Sequence, residues 1–182
     1  MSPADCHIRV FDTINTDPRT SYHIVCLFVC RRILSSAVIF ISGLDPARPL
    51  VNSYGSKLFR LGRDDAHVVQ VIHSNAGFLG EMGLVGHADF CLNGGRLQPG
   101  CKGHTMRIAR CSHFKSCCYY AASVRRQMRL VAVPCDTSCP KEPGRWGLQS
   151  DRRSMLLTED TPSTSRGMYC IKANYEADCP FD

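Results

Sequence analysis

Twelve cysteines among 182 residues constrain the fold of this chain more than any other feature of its sequence. Chains with so many cysteines either bind metal or fold in an oxidising compartment, where disulfides form. The sequence contains no C-x-x-C pair, so the usual spacing of zinc ligands is missing. We therefore expect disulfides and a secreted protein, with Cys101 to Cys111 and Cys135 to Cys139 as candidate pairs that close short loops.

The start of the sequence does not show the features of a secretion signal. Residues 1–12 lack a basic region followed by an apolar region, so we expect no signal peptide in this chain. Residues 23–44 are apolar in two blocks that Arg31 and Arg32 interrupt, and neither block reaches the roughly 20 residues of a membrane span. We expect no transmembrane segment, and a chain that is a truncated or alternative product of a longer, secreted protein.

The size and charge of the chain favour one globular unit. A chain of this length with 44% hydrophobic residues has enough apolar material for one core. The net charge of +6 is compatible with nucleic acid, sulfated glycan or anionic lipid as a partner. The basic residues form separated pairs without interleaved aromatic residues, so we expect no nucleic-acid binding. A modest attraction to a negatively charged interface stays open.

Two short β-branched runs predict parallel strands that are buried on both faces, at residues 37–41 and 68–73. Asp45 follows the first run just past its carboxyl end. Catalytic groups collect at that edge of open α/β sheets, which favours a functional role for Asp45. A turn-forming aspartate before Pro46 explains the same residue equally well on local grounds.

The other segments give weaker predictions. Residues 23–34 favour a helix, although their β-branched residues keep a strand open. A second helix is predicted at 112–124, with Ser112 as its cap and His113 at its start. The glycine-rich stretch 75–101 predicts a structured surface loop, and residues 167–172 predict a final strand. Residues 1–21 form a poorly specified leader, and 22–182 the folded unit.

Three motifs follow one another between residues 43 and 123. They are G-L-D-P-A-R-P at 43–49, V-I-H-S-N-A-G-F-L-G-E-M-G-L-V-G-H-A-D-F-C-L-N-G-G-R-L-Q-P-G-C at 71–101 and C-S-H-F-K-S-C-C-Y-Y-A-A-S at 111–123. Together they resemble the animal lipase family that contains pancreatic lipases, insect phospholipases A1 and yolk-protein relatives. The resemblance implies part of an α/β-hydrolase fold, the C-terminal half of the catalytic domain, with parallel sheet strands flanked by helices and disulfide-rich loops.

The resemblance also implies roles for particular residues. Asp45 corresponds to the acid and His113 to the base of a Ser-Asp-His triad, in the chain order of α/β-hydrolases. His113 would take a proton from the attacking serine, while Asp45 fixes the imidazole tautomer. His73, His87 and Asp89 are expected to be structural groups beside the site.

The sequence departs from the family at the nucleophile. The family places this serine in G-x-S-x-G, and no serine here has glycine two residues before and after it. Alignment puts residues 17–22 over the motif, with Arg19 in the nucleophile's place and Ser21 as the nearest hydroxyl. We therefore expect a member of a hydrolase family whose chain is by itself an inactive fragment. The alternative is a non-catalytic, lipid-binding relative like the yolk proteins.

The resemblance limits the substrate and the cofactors. Only nine residues separate Cys101 from Cys111, where the family carries its lid, and a short lid favours phospholipase A1 over triacylglycerol lipase activity. We expect a lipid carboxyl ester or a lipid interface as partner. Gly62 and Lys57 replace calcium-binding carboxylates and leave Asp65 alone, so no metal and no cofactor is expected. Self-association is predicted through an exposed sheet edge.

Overall fold

Short runs of β-branched and aromatic residues form most of the regular structure of this protein. The computed structural model of the chain describes residues 11–12, 24–25, 32–34, 37–48, 61–135, 138–140, 154–173 and 179. The strands are β1 Phe11–Asp12, β2 Ile24–Val25, β3 Arg32–Leu34, β4 Ala37–Leu44, β5 Val68–His73, β6 Ala88–Leu92, β7 Val131–Pro134, β8 Met155–Leu156 and β9 Gly167–Ile171. A 3-10 turn spans Arg63–Asp65, and helix α1 spans Thr105–Val124.

Seven of these strands form one mixed sheet in the order β3-β4-β5-β6-β9-β7-β8. The four central strands, β4, β5, β6 and β9, are parallel to one another. The outer pairings, β3 with β4, β7 with β9 and β7 with β8, are antiparallel. The predicted parallel strands are thus present at the centre, while the antiparallel flanks make the sheet mixed. Strands β1 and β2 form a separate antiparallel pair.

Side chains alternate between the two faces of the central strands, as the pleat of a strand requires. On β5, Val69 and Val71 pack with Ile41 on one face. Ile72 points to the other face and joins Leu44 in a larger cluster, whose fully buried members include Phe90, Leu92, Tyr119, Leu157 and Ile171. Tyr119 belongs to α1, so this larger cluster fixes the helix on one face of the sheet.

Helix α1 is buried in its middle and exposed at its start. Residues 111–120 are all buried, whereas 102–107 are all exposed. Among the residues that the structure describes, α1 is the one α-helix. Where helices were predicted to flank the sheet, the described part therefore has a single helix on one face. No helix of the described part is long and apolar enough to cross a membrane.

Four disulfides join described residues, and they correct one of the two predicted pairings. Cys101–Cys111 is present as predicted. The predicted Cys135–Cys139 pair is wrong, because each of these cysteines bonds to a strand of the central sheet. The bonds are Cys135–Cys170, to β9, and Cys91–Cys139, to β6. The fourth bond joins Cys118 to Cys179.

Three predicted elements differ from the structure. In place of a helix over 23–34, the described residues form β2 and β3, because Ile24, Val25 and Ile33 are β-branched and favour strands. Helix α1 begins at Thr105, well before Ser112. The predicted loop over 75–101 contains strand β6. Apart from β1, the predicted leader lies outside the described residues.

Candidate active site

Asp45 occupies a sharp turn directly after β4, at the carboxyl edge of the parallel strands. Its φ angle is 48°, in the left-handed region that aspartate tolerates better than most residues. The turn is fixed because the Asp45 amide donates to the carbonyl of Ile72 at 2.7 Å. The side chain is completely buried. The turn after β4 thus places a carboxylate in the protein interior, at the edge of the sheet where α/β proteins bind their ligands.

Both oxygens of the Asp45 carboxylate accept hydrogen bonds. Oδ1 accepts from the backbone amides of Ser74 at 2.8 Å and Asn75 at 2.9 Å. Oδ2 lies 2.6 Å from Nδ1 of His113. Backbone amides only donate, so Oδ1 is an acceptor. With the carboxylate ionised, Oδ2 accepts as well, and the imidazole then carries its proton on Nδ1. The structure brings together the two residues that the sequence proposed as acid and base.

His113 reaches Asp45 from the middle of α1, not from the start of the helix as predicted. Its side chain is 5% exposed, so the contact with Asp45 is shielded from water. The Ser74 hydroxyl donates to the His113 carbonyl at 3.3 Å, and the Ser116 hydroxyl donates to the same carbonyl at 2.7 Å. Ser74 therefore contacts both members of the pair, Asp45 through its backbone amide and His113 through its side chain.

Two residues that sequence analysis did not single out hold this arrangement in place. Gln98 donates its side-chain amide to the carbonyl of Ser74 at 2.9 Å and to that of Leu92 at 2.8 Å. Its backbone amide donates to the Ser112 hydroxyl at 3.0 Å, which explains why Ser112 is not a helix cap. Gly80 lies against Asp45, and a Cβ atom there would come within 2.5 Å of the carboxylate carbon.

The signal for part of this network is present in the sequence. His73 ends β5 and Ser74-Asn75 follow it, which makes a polar run, and the carboxyl ends of parallel strands meet at one edge. A polar run after β5 is thus expected beside Asp45. Gln98 and Gly80 carry no comparable signal, because their roles depend on how the loop folds back.

A second buried histidine–aspartate pair lies beside the first. His73 Nε2 lies 2.9 Å from Asp89 Oδ1, and both side chains are completely buried. His73 Nδ1 faces the Glu81 carbonyl at 3.1 Å, and the Asp89 carboxylate also accepts the backbone amides of Val85 and Gly86. Both ring nitrogens of His73 are used by protein acceptors. This pair ties the 81–86 loop to β5 and β6 and offers no nitrogen to a substrate.

His87 also makes a backbone contact. Its Nδ1 accepts the amide of Val69 at 3.0 Å, which requires that nitrogen to be unprotonated. Burial, followed by the nearby guanidinium groups of Arg166 and Arg63, lowers the pKa of His87 below its usual 6.5. A neutral His87 that links two chain segments fits the structural role that the sequence suggested for it.

The segment predicted to replace the nucleophile elbow, 17–22, lies outside the described residues. The described serines near the site direct their hydroxyls to backbone groups, Ser74 and Ser116 to His113 and Ser112 to Gln98. In the described ranges, no cluster of three or more His, Cys, Asp or Glu side chains is arranged to hold a metal ion. Asp65 accepts the Gly62 amide at 2.8 Å, within the 3-10 turn.

Comparison with known proteins gives consistent matches. Residues 24–140 match the family described as Lipase. Lipase member H of Rattus norvegicus is 41% identical over 100 residues, which are 53% of this chain and 22% of that protein. Phospholipase A1 of Vespula squamosa is 38% identical over 94 residues, 52% of this chain and 30% of that protein. The match thus spans between about a fifth and a third of these relatives.

Proposed function

The chain belongs to the lipase family, and from that premise we propose that it carries the acid and base of a carboxylic ester hydrolase that acts on lipids. The supporting observation is the buried 2.6 Å contact between Asp45 Oδ2 and His113 Nδ1. A carboxylate that holds a histidine through Nδ1 directs the opposite ring nitrogen, Nε2, toward the reaction.

The chemistry of the pair follows from this orientation. His113 Nε2 accepts the proton of a serine hydroxyl while that oxygen bonds to the ester carbonyl carbon. The resulting imidazolium then gives the proton to the leaving alcohol as the carbon–oxygen bond breaks. Asp45 stays ionised and stabilises the imidazolium in both steps. Water repeats the sequence on the acyl-enzyme and releases the fatty acid.

The nucleophile limits what this chain does by itself. Its sequence has no G-x-S-x-G, and alignment puts Arg19 at the nucleophile's place. Loss of the nucleophile lowers the turnover of serine hydrolases on the order of a millionfold. We propose that the 182-residue chain alone is inactive, and that the acid–base pair acts only where a serine elbow is supplied. The substituted nucleophile also favours a second candidate, a yolk-protein-like relative that binds lipid without hydrolysis.

The loop between Cys101 and Cys111 supports a phospholipid as the substrate. Helix α1 begins at Thr105 inside this disulfide loop, so only three residues lie between Cys101 and the helix start. A loop of this size has no room for a separate lid helix over the acyl site. An uncovered site admits bulky polar head groups, and one matched relative is a phospholipase A1.

The disulfides support secretion. The four bonds are compatible with an oxidising compartment, where such bonds persist. Self-association through a sheet edge stays a prediction. In the described part, the edge strands are β3 and β8.

A chimera tests the acid–base proposal directly. The N-terminal part of a lipase-family hydrolase that carries a G-x-S-x-G serine elbow is joined to this chain at Ile24, where the family match begins. We expect the chimera to hydrolyse p-nitrophenyl esters and a phospholipid, and His113→Ala to abolish turnover. The matched control, His67→Ala, changes an exposed histidine and leaves turnover intact.

The outcomes separate the two parts of the proposal. Turnover by a folded chimera that survives His113→Ala would refute the role of His113. Turnover by the unmodified, oxidatively refolded chain would refute its proposed inactivity, and Ser21 would be the first residue to replace. A folded chimera without turnover, together with lipid binding by the unmodified chain, would favour the non-catalytic relative.

A further inference from the structure

Side-chain hydrogen bonds join helix α1 to β4 and to the turn after it at two points. One is the contact of His113 with Asp45, directly after the strand. The other joins the hydroxyl of Tyr120, in the second half of α1, to the hydroxyl of Ser42 within β4, at 2.9 Å. Ser42 is completely buried and Tyr120 is 5% exposed, so water does not compete for the second contact. The acid–base chemistry uses only the first contact.

The two contacts are separated by the same distance on the helix and on the strand. Tyr120 and His113 are seven residues apart, which is nearly two turns and about 10.5 Å along α1, so both side chains leave the same side of the helix. Ser42 and Asp45 are three residues apart, which is about 10 Å along a strand. Asp45 meets the earlier of the two helix residues, so α1 and β4 run in opposite directions. The helix is thus attached to the strand at both ends of a matched span.

Between the two contacts, α1 packs on the sheet through apolar side chains. Leu44 of β4 and Cys117 of α1 lie within the span and belong to one apolar cluster. Hydrophobic attraction has little directional preference, whereas a hydrogen bond requires a donor and an acceptor about 3 Å apart. The disulfides Cys101–Cys111 and Cys118–Cys179 join α1 to residues outside the strands. The hydrogen bonds therefore select the position of α1 along β4 more sharply than these other contacts.

A buried amide holds the Ser42 end of this span in place. Gln70 on β5 is the register partner of Ser42, and its Nε2 donates to the Ser42 hydroxyl at 2.7 Å and to the Thr158 carbonyl at 3.1 Å. Thr161 donates its hydroxyl to Gln70 Oε1 at 2.5 Å. Because the Thr158 carbonyl only accepts, the Gln70 amide has one orientation, and it presents a donor to Ser42. Strand β5 and the segment after β8 thus fix the hydroxyl to which Tyr120 bonds.

We propose that Tyr120 and Ser42 are positioning residues for the acid–base pair, because their hydrogen bond sets where α1 lies along β4. The same helix carries His113, so movement of α1 along the strand changes the contact with Asp45. Neither positioning residue touches the substrate. The consequence for turnover rests on the proposed function, whereas the consequence for the His113 proton does not.

Proton and nitrogen NMR of the oxidatively refolded chain tests the position of the base without requiring turnover. Tyr120→Phe removes the hydroxyl and keeps the buried ring. A carboxylate partner shifts the Nδ1 proton of an imidazole far downfield, and we expect the His113 resonance to move upfield in this variant because its bond to Asp45 lengthens. Ser42→Ala should move it in the same direction. The matched control, Tyr169→Phe, removes a hydroxyl from a buried tyrosine of the same cluster, on β9, and should leave it in place.

The chimera measures the consequence for catalysis. Tyr120→Phe should lower kcat roughly tenfold to a hundredfold with KM little changed, since displacing a catalytic group by about 1 Å costs up to about a hundredfold. Ser42→Ala should have a similar effect. Because both variants break one hydrogen bond, the double variant should lose no more than the larger single loss. Tyr169→Phe should leave kcat nearly unchanged.

Three results would overturn the proposal. An unmoved His113 Nδ1 resonance in folded Tyr120→Phe would show that the hydroxyl does not position the base. Losses of kcat that multiply in the double variant would assign Tyr120 and Ser42 to independent effects. An equal change in Tyr169→Phe would show a response to stability alone. A folded chimera without turnover in any form would instead contradict the proposed function, and the NMR comparison would still decide the positioning.

Discussion

The replacement Asp45→Asn tests whether the 2.6 Å contact fixes the histidine as the structure shows. Asparagine has nearly the same shape, and its oxygen can keep the amides of Ser74 and Asn75. The second oxygen becomes an NH₂ group that faces the Nδ1 proton of His113. Two donors cannot form a hydrogen bond, so His113 must move its proton from Nδ1 to Nε2 to accept from the new amide.

The expected loss of stability follows from the bonds that change. A hydrogen bond to a charged group contributes about 1.5 to 3 kcal/mol and a neutral one about 0.5 to 1.5, so Asp45→Asn should lower the free energy of unfolding by roughly 1 to 2 kcal/mol. Asp45→Ala removes all three acceptor contacts in a completely buried site. Each unsatisfied donor costs about 1 to 3 kcal/mol, so alanine should cost about 3 kcal/mol or more.

Nitrogen NMR of the imidazole rings and urea unfolding check these two expectations. In the unmodified chain the His113 proton is expected on Nδ1, and in Asp45→Asn on Nε2. His73 is an internal control, because its contacts with Asp89 and with the Glu81 carbonyl do not involve Asp45. The reasoning fails if His113 keeps its proton on Nδ1 in Asp45→Asn, or if asparagine costs as much as alanine.

Three further predictions concern Gly80, the Cys101–Cys111 disulfide and the buried Tyr120. Gly80→Ala puts a Cβ against the Asp45 carboxylate and should destabilise the fold by about 1 to 3 kcal/mol, which an unchanged urea midpoint would contradict. Replacing Cys101 and Cys111 together by alanine opens a loop of 10 residues and should cost about 3 kcal/mol, measured by thermal unfolding against the oxidised chain. Burial raises the pKa of Tyr120 to about 12 from 10.0. Between pH 10 and pH 12 Tyr120 keeps its proton in the folded state and has lost it in the unfolded state. The free energy of unfolding therefore falls as pH rises above 10, by about 2 to 3 kcal/mol in total. Tyr120→Phe should show a shallower fall between about pH 10 and pH 12, and an equal slope would refute the assignment.

The sequence predicted the parts of the site that depend on local patterns. The runs at 37–41 and 68–73 are β-branched and apolar, and both are strands of the central sheet. Asp45 was placed at the carboxyl edge because it follows the first run, and the structure puts it there. These predictions succeed because strand propensity and burial on both faces act over a few neighbouring residues.

Predictions failed where distant contacts override local preference. Ser112 has the character of a helix cap, but its hydroxyl accepts the Gln98 amide inside α1. Strand β6 was not predicted, because it contains an aspartate, Asp89. This carboxyl group can be buried because it is hydrogen-bonded to His73 and to two backbone amides. Cys135 and Cys139 are close in sequence, yet the sheet brings Cys170 and Cys91 nearer. The distant partner lies 14 residues from Ser112, 16 from Asp89, 35 from Cys135 and 48 from Cys139.

The contacts described for the acid–base pair all come from one continuous part of the chain. Asp45 is held by residues from 72 to 75, and His113 by Ser74, Ser116 and Asp45 itself. Gln98 and the Cys101–Cys111 disulfide connect the same segments. The contacts described here position the Asp45 carboxylate against the His113 imidazole within residues 45–116. A serine elbow supplied from another chain is therefore expected to meet a histidine that Asp45 already orients, and turnover regained in the chimera should be lost again in His113→Ala.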